Sequence, residues 1–334
     1  MNPVSVHCPA HITLLFSIHD ADSRPSHQGS RGAGFCVESG VRVEARISER
    51  SFIDDHRGEV AGRVRIWDSD GALLHIEEEL ASYRMYSDIA SLFRQSVSID
   101  ESESVDLDIW LELPRSQGFG MSAAGLIAAI DAHAEIMKID EVDIAWRLSH
   151  DYERAKSTGL GDVLALSAGG VELRLEPGAP PSPGSVVAFA AEAPVLLVWS
   201  PDEGRHTSGY IDSPDWRDRI SGAGEAAVAR LREGEWNAAR WSELLVESRR
   251  FAEASGLLAE PERKALLQEV DSVIGASDDS DSLCACLCML GVSAAVLPRS
   301  LERPVDEAVL DEVGESLRSL GMCAKVTRIA ALQS

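Results

Sequence analysis

The segment Pro114-Arg115-Ser116-Gln117-Gly118-Phe119-Gly120-Met121-Ser122-Ala123-Ala124-Gly125 constrains this chain more than any other. Before it, Val105, Leu107, Ile109, Leu111 and Leu113 alternate with mostly acidic neighbours, the period of a half-buried strand. After it, Ala123 to Met137 is rich in Ala, Leu and Ile and free of Pro, which predicts a helix. A strand, a glycine loop and a helix start in that order form a cradle for an anion. Glycine lets the backbone come close to a ligand, and the free N–H groups and dipole of the helix start favour phosphate.

The loop is neither of the two commonest phosphate motifs. No Gly-Lys-Ser/Thr follows, and Gly118, Gly120 and Gly125 lack the dinucleotide spacing. Ser122 stands where the helix begins, placed either to cap it or to contact a metal-bound phosphate.

The formal net charge is −24, from 31 basic and 55 acidic residues, which argues against a general nucleic-acid surface. The basic residues are nearly all Arg, the lysines being Lys138, Lys156, Lys264 and Lys325. An acidic, lysine-poor surface suits solubility in high salt, where like-charge repulsion is screened. No apolar run approaches the roughly 18 residues of a membrane span, and no secretory signal opens the chain. The expectation is a cytoplasmic protein without a membrane partner. Cys284, Cys286 and Cys288 alternate too closely for paired metal ligands, so all six cysteines are expected to be reduced and metal-free.

Strands are expected at Gly40 to Ile47, Arg63 to Trp67, Val105 to Leu113, Val171 to Leu175 and Val195 to Trp199. Asp70-Gly71 reads as a turn. Helical pattern runs from Ser122 to about Lys156, from Glu225 to Ala254 and from Glu262 to Ile274, and Val305 to Val326 reads as helix then strand. Pro180, Pro181, Pro183 and Gly184 are the clearest linker, so two α+β halves, 1–180 and 185–334, are expected.

A second loop, Thr158-Gly159-Leu160-Gly161-Asp162, follows the helical segment His150-Asp151-Tyr152-Glu153. Phosphoryl transfer needs a metal against the phosphates and a carboxylate that orients or deprotonates the acceptor. Glu153 and Asp162 are the types required. Asp162 is equally the type that caps a helix starting at Val163.

Four segments occur in one order: Cys8-Pro9-Ala10-His11-Ile12-Thr13, Gly29-Ser30-Arg31-Gly32-Ala33-Gly34, Gly118 to Gly125, and Thr158 to Asp162. That set resembles the archaeal pantoate kinases, a branch of the GHMP kinase superfamily. The second and fourth segments separate this branch from mevalonate, homoserine and galactose kinases. Ala10 departs from the usual glycine. Val292, in Cys288-Met289-Leu290-Gly291-Val292-Ser293, departs from the usual Asn of a C-terminal glycine loop.

The resemblance implies a two-domain α+β fold, with an N-terminal half like S5 domain 2 and a ferredoxin-like C-terminal half. The active site would lie in the cleft between them. It implies ATP-dependent phosphorylation of the primary hydroxyl of pantoate, giving 4-phosphopantoate for coenzyme A synthesis. It assigns the phosphates to Gly118, Gly120, Met121, Ser122 and Ala123, Mg²⁺ to Ser122 and Glu153, and the catalytic acid position to Asp162. Ser30, His150, Arg174 and Thr207 match positions used around pantoate. Arg31 joins them here as a further guanidinium able to grip a carboxylate. The adenine site is placed between Tyr83 and Ser98 by position alone, and the family is compatible with a homodimer. Two other readings stay open: a related kinase for another hydroxy acid or polyol, and a non-catalytic nucleotide-binding regulator of the same fold.

Overall fold

A computed structural model describes residues 2–48, 62–97, 104–141, 143–201, 210 and 213–333. Thr207 and Ser98 lie outside the described residues. The architecture starts from two long strands, β1 (Val4–His19) and β2 (Gly29–Ile47), paired antiparallel from Val4↔Ala45 to His19↔Gly29. The expected Gly40 to Ile47 strand is the second half of β2. Its first half, Gly29 to Cys36, is dense in Gly, Ser and Ala and gives no strand signal of its own. There the strand is held by pairing with β5 (Val171–Glu176), from Gly32↔Arg174 to Phe35↔Val171.

β3 (Val64–Trp67) and β4 (Val105–Leu111) extend the sheet beyond β2, and β6 (Ser185–Phe189) extends it beyond β5. Pro180 to Gly184, expected as an interdomain linker, therefore joins two strands of one sheet. The crossing to the second sheet falls at residues 190–193. That sheet has the order β10-β7-β9-β8, with β7 (Pro194–Trp199), β8 (Leu283–Leu287), β9 (Ser293–Pro298) and β10 (Cys323–Arg328).

Helices cover the sheets: α1 (Leu80–Val97), α2 (Met121–Met137), α3 (Ile144–Lys156) and the short α4 (Asp162–Leu166), then α5 (Pro214–Leu231), α6 (Trp241–Ala254), α7 (Pro261–Ala276) and α8 (Glu307–Ser319). The helix expected from Ser122 to Lys156 is two helices. Lys138 adopts φ 57°, and the N–H of Ile139 reaches the Ala134 carbonyl at 2.8 Å, which closes α2 in a Schellman turn without glycine. The pattern over Glu225 to Ala254 is likewise broken, at Gly234 (φ 91°). One continuous apolar cluster runs through both sheets, from Cys8 and Ile12 to Leu317 and Ala330. Among the described residues all six cysteines are free, five of them buried, and no helix is long and apolar enough to cross a membrane.

α2 is buried nearly all round, with twelve of its residues inside, including a titratable one. His133 is 2% exposed, donates Nδ1–H to the Ala129 carbonyl at 2.7 Å and packs against Phe93. Burial pushes its pKa down to about 4, because the charged ring would have to leave water. Unfolding restores the ordinary value, so this site contributes stability that is complete above about pH 6.5 and is lost as pH falls through 4. Relative to His133→Leu, the wild type should lose about 3 kcal/mol more between pH 6.5 and 4. Urea midpoints across that range test this, and equal losses would contradict it.

Candidate active site

The phosphate loop is shaped by what it touches. Gly120 sits at φ 60°, and a side chain there would press on the backbone of His11 in β1. No side chain caps α2 at Gly120, and the first backbone bond of this turn runs from the Ala124 N–H to the Gly120 carbonyl. The N–H groups of Met121, Ser122 and Ala123 are the ones that an α-helix leaves without partners inside itself. Met121 and Ala123 are buried. α1 flanks the loop: Arg115 pairs with Glu79 and donates to Ser82 at 2.7 Å, and Ser122 Oγ lies 3.5 Å from Met85 Sδ.

The second sheet braces the loop from the other side. The 288–293 turn packs on it, with Ser293 Oγ donating to the Gln117 carbonyl and the Met289 N–H to the Thr13 carbonyl at 3.0 Å. Buried Arg263 of α7 holds that turn, donating to the carbonyls of Gly291, at 2.8 Å, and Leu290. Val292 is itself buried, so its replacement of a polar residue is met by apolar packing.

Glu153 projects from α3 and is 3% exposed, its carboxylate lying against Gly159. Burial and the nearby charge of Asp162 push its pKa up to about 8, partly opposed by a hydrogen bond from Ser122. A hydroxyl and a carboxylate thus face each other at the start of α2. This is a donor pair suited to Mg²⁺, which takes one or two protein oxygens and completes its shell with phosphate and water. Among the described residues there is no group of three or more His, Cys, Asp or Glu able to hold a metal by themselves, so phosphate oxygens would have to supply the rest.

Asp162 does not cap a helix. It is the first residue of α4, with no side-chain cap bond at Gly161 before it. Its Oδ1 accepts from His11 Nδ1 at 2.6 Å and from Thr13 Oγ1 at 3.4 Å. His11 Nε2 lies 3.0 Å from Glu172 Oε1, which also accepts from Arg174 Nη1 at 2.7 Å. Ionised carboxylates only accept, so a ring between two of them donates from both nitrogens and is an imidazolium. Burial opposes that charge, yet the two carboxylates outweigh it and hold the His11 pKa above its ordinary value. Burial alone would raise Asp162; bonding to His11 and the charge of Arg174 bring it below the usual carboxylate range. Two acids and two bases so form a balanced set, of which His11, Glu172 and Arg174 are at most 1% exposed and the Asp162 side chain 25%.

Ser30 and Arg174 meet beside Asp162. A side chain at Gly161 would strike Ser30 Oγ and come within 2.8 Å of Arg174 Nε, so only glycine admits this approach. Arg174 Nε is buried and has no hydrogen-bond partner among the described residues. His150 is also buried and donates from Nε2 to the Pro25 carbonyl at 3.2 Å. Burial lowers its pKa, so it supports the turn leading into Gly29 and Ser30 as a neutral ring. Arg154 ties that turn to the 158–161 loop, reaching Gln28 at 3.2 Å and the Gly159 carbonyl at 2.7 Å.

Arg31 is not brought to this face. Neighbours along a strand point to opposite sides, and Arg31 turns away from Ser30 toward α5. It pairs there with Glu225 at 3.0 Å and with Glu176 at 2.7 Å. Ser17 and His19 complete the cluster on Glu225, at 2.6 and 2.9 Å. Sequence reasoning missed His11 and Glu172. A signal was present for Glu172: it and Arg174 are charged residues flanked by Val171, Leu173 and Leu175 in a strand whose first four residues are buried.

The chain is similar to several known proteins. Residues 83–170 match the family model of the GHMP kinases N terminal domain. The chain is 28% identical to a pantoate kinase of Methanospirillum hungatei over 318 residues, covering 93% of this chain and 91% of that one. It is 27% identical to a pantoate kinase of Thermococcus kodakarensis over 266 residues, 80% of each chain. Among solved structures it superposes on a phosphotransferase related to the CoA biosynthesis pathway with a TM-score of 0.74. That match has 23% identity and covers 99% of this chain and 97% of the other. A mevalonate kinase follows the same fold, with a TM-score of 0.65 at 12% identity, covering 98% and 99%.

Because Arg31 joins β2, β5 and α5 on the far face, Arg31→Ala should lower stability by about 1 kcal/mol and leave acceptor saturation as in wild type. Urea denaturation and a saturation curve check both. A raised acceptor KM would return Arg31 to the site.

Proposed function

We propose that this chain, which has the fold of the GHMP kinases and carries their N-terminal domain across residues 83–170, transfers the γ-phosphoryl group of ATP to the primary hydroxyl of D-pantoate. The observation that carries the reading is the meeting of Ser30 and the unpartnered Arg174 Nε with Asp162, on the sheet face reached by the α2 N-terminus. Pantoate is a hydroxy acid. Its carboxylate suits a guanidinium, its hydroxyls suit Ser30, and its reacting hydroxyl suits a carboxylate that stays ionised. Similarity to pantoate kinases over nine-tenths of the chain supports this acceptor over other alcohols.

The backbone N–H groups of 121–123 receive the phosphates, where the helix dipole adds to their attraction. Ser122 and Glu153 would hold Mg²⁺, and that ion when bound would supply positive charge against the phosphates. Asp162 accepts the hydrogen bond of the acceptor hydroxyl and aligns its oxygen with the phosphorus. Transfer through a loose transition state requires little basicity of that group before the P–O bond forms, so an acid with a depressed pKa serves as orienter.

The direct test is nucleoside-diphosphate release from Mg-ATP with and without D-pantoate, with the product identified by mass. Pantoate-dependent release with 4-phosphopantoate is expected. Release that needs a different hydroxy acid or polyol would replace the acceptor, and no release with any would remove the reading. Asp162→Asn should lower kcat by about 100-fold or more and still bind ATP; wild-type turnover would sink its role. Arg174→Ala should raise the KM of pantoate far more than that of ATP, and equal effects would count against a carboxylate grip.

A further inference from the structure

We infer that His11 is a positioning residue for the transfer, fixing the Asp162 carboxylate through Nδ1 so that the second carboxylate oxygen is presented to the acceptor hydroxyl. This rests on the reading of Asp162 as the group that meets that hydroxyl. No substrate contact is assigned to His11.

The ring is tied at both ends. Nδ1 reaches Asp162 Oδ1 at 2.6 Å and Nε2 reaches Glu172 Oε1 at 3.0 Å, with the imidazole wholly buried. Arg174 holds Glu172 in turn at 2.7 Å. Rotating the ring breaks both bonds at once, and either loss would leave a charge in the interior without its partner. Asp162 Oδ1 is thereby occupied, and Thr13 Oγ1 approaches the same oxygen at 3.4 Å. Oδ2 has no hydrogen-bond partner among the described residues, and the side chain keeps 25% of its surface open. One oxygen is anchored and the other is available, which is the arrangement an orienting group needs.

Asp162 needs an anchor because it stands at the start of a very short helix, Asp162–Leu166. His11 and Thr13 face it from β1, Arg174 from β5 and Glu153 from α3. Glu172 of β5 acts on it through His11, and Cys36 of β2 lies near both acids. The freedom of a helix-terminal side chain would let the carboxylate turn. A hydrogen bond backed by a buried, charge-balanced chain resists that.

Two near-isosteric variants separate this role from mere space filling. Asn places its amide nitrogen near the position of Nδ1, so His11→Asn can still donate to Asp162. Gln places its amide nitrogen near Nε2, so His11→Gln can serve Glu172 and abandons Asp162. With D-pantoate and Mg-ATP, His11→Gln should lose about 100-fold in kcat with the KM of ATP unchanged. His11→Asn should stay within about tenfold of wild type. Equal losses in the two variants, or losses that follow their urea midpoints, would overturn the proposal. A second measurement needs neither variant nor acceptor. The wild-type NMR spectrum, with ring nitrogens assigned by ¹⁵N labelling, should contain a far-downfield His11 Nδ1–H signal that is lost in Asp162→Ala while the Nε2–H signal to Glu172 remains; persistence of the Nδ1–H signal in that variant would also overturn the proposal. This arm separates a failure here from a wrong choice of acceptor, which would appear as wild-type protein giving no pantoate-dependent release while the signal is present.

Discussion

The pairing of β1 with β2 is the constraint on which the rest of this molecule depends. These strands run side by side from Val4↔Ala45 to His19↔Gly29 and are the spine from which the other parts of the site are hung. Alternation gives the spine two functional sides. One presents His11, Thr13, Ser30, Gly32 and Gly34 to β5 and α4. The other sends Ser17 and Arg31 toward α5. The bareness of Gly32 and Gly34 has a purpose, since side chains there would occupy the space of Arg174 and His11. The weak strand signal of this stretch and the room for a buried charge cluster have one cause.

That cluster shows how a chain of net charge −24 can serve anionic ligands. The global charge is spread over a surface where water and salt screen it. Inside, screening is weak and a few groups decide the local potential. Arg174 and the imidazolium of His11 balance Asp162 and Glu172, so the interior carries no net charge from this set. The N-terminus of α2 adds positive potential without any basic side chain. One guanidinium nitrogen, Arg174 Nε, is left without a partner among the described residues.

The second sheet contributes by bracing. Arg263 gives Nε and Nη2 to the turn at 288–293, which in turn fixes Gln117 and the start of the glycine loop, while Nη1 reaches Tyr210. A cation that would read as a surface residue on an amphipathic helix is instead fully buried. The apolar cluster continues through both sheets, so the loop is held between two layers that share one core.

Local chemistry was legible in the sequence wherever it depended on residues close in the chain. The strand before the phosphate loop, the loop with its two glycines and the helix after it appear where alternation, backbone freedom and helix propensity place them. Glu153 and Asp162 were legible as carboxylates beside a glycine loop, and the buried cysteines as reduced thiols. Partnerships across the chain were not legible. Nothing near His11 announces Asp162, 151 residues away, or Glu172, 161 residues away. Arg31 and Ser30 are neighbours in sequence, yet the strand's twofold period sends them to opposite faces. The proline-rich stretch at 180–184 joins strands of one sheet because β6 adds to β5, a choice of pairing that composition does not encode. Sequence by itself determined which groups were available and which backbone shapes were allowed, since propensity and alternation act over a few residues. Which charges met, and which oxygen of Asp162 was left without a hydrogen bond among the described residues, only the tertiary structure decided, because a buried charge is settled by whatever partner the fold brings within about 3 Å of it.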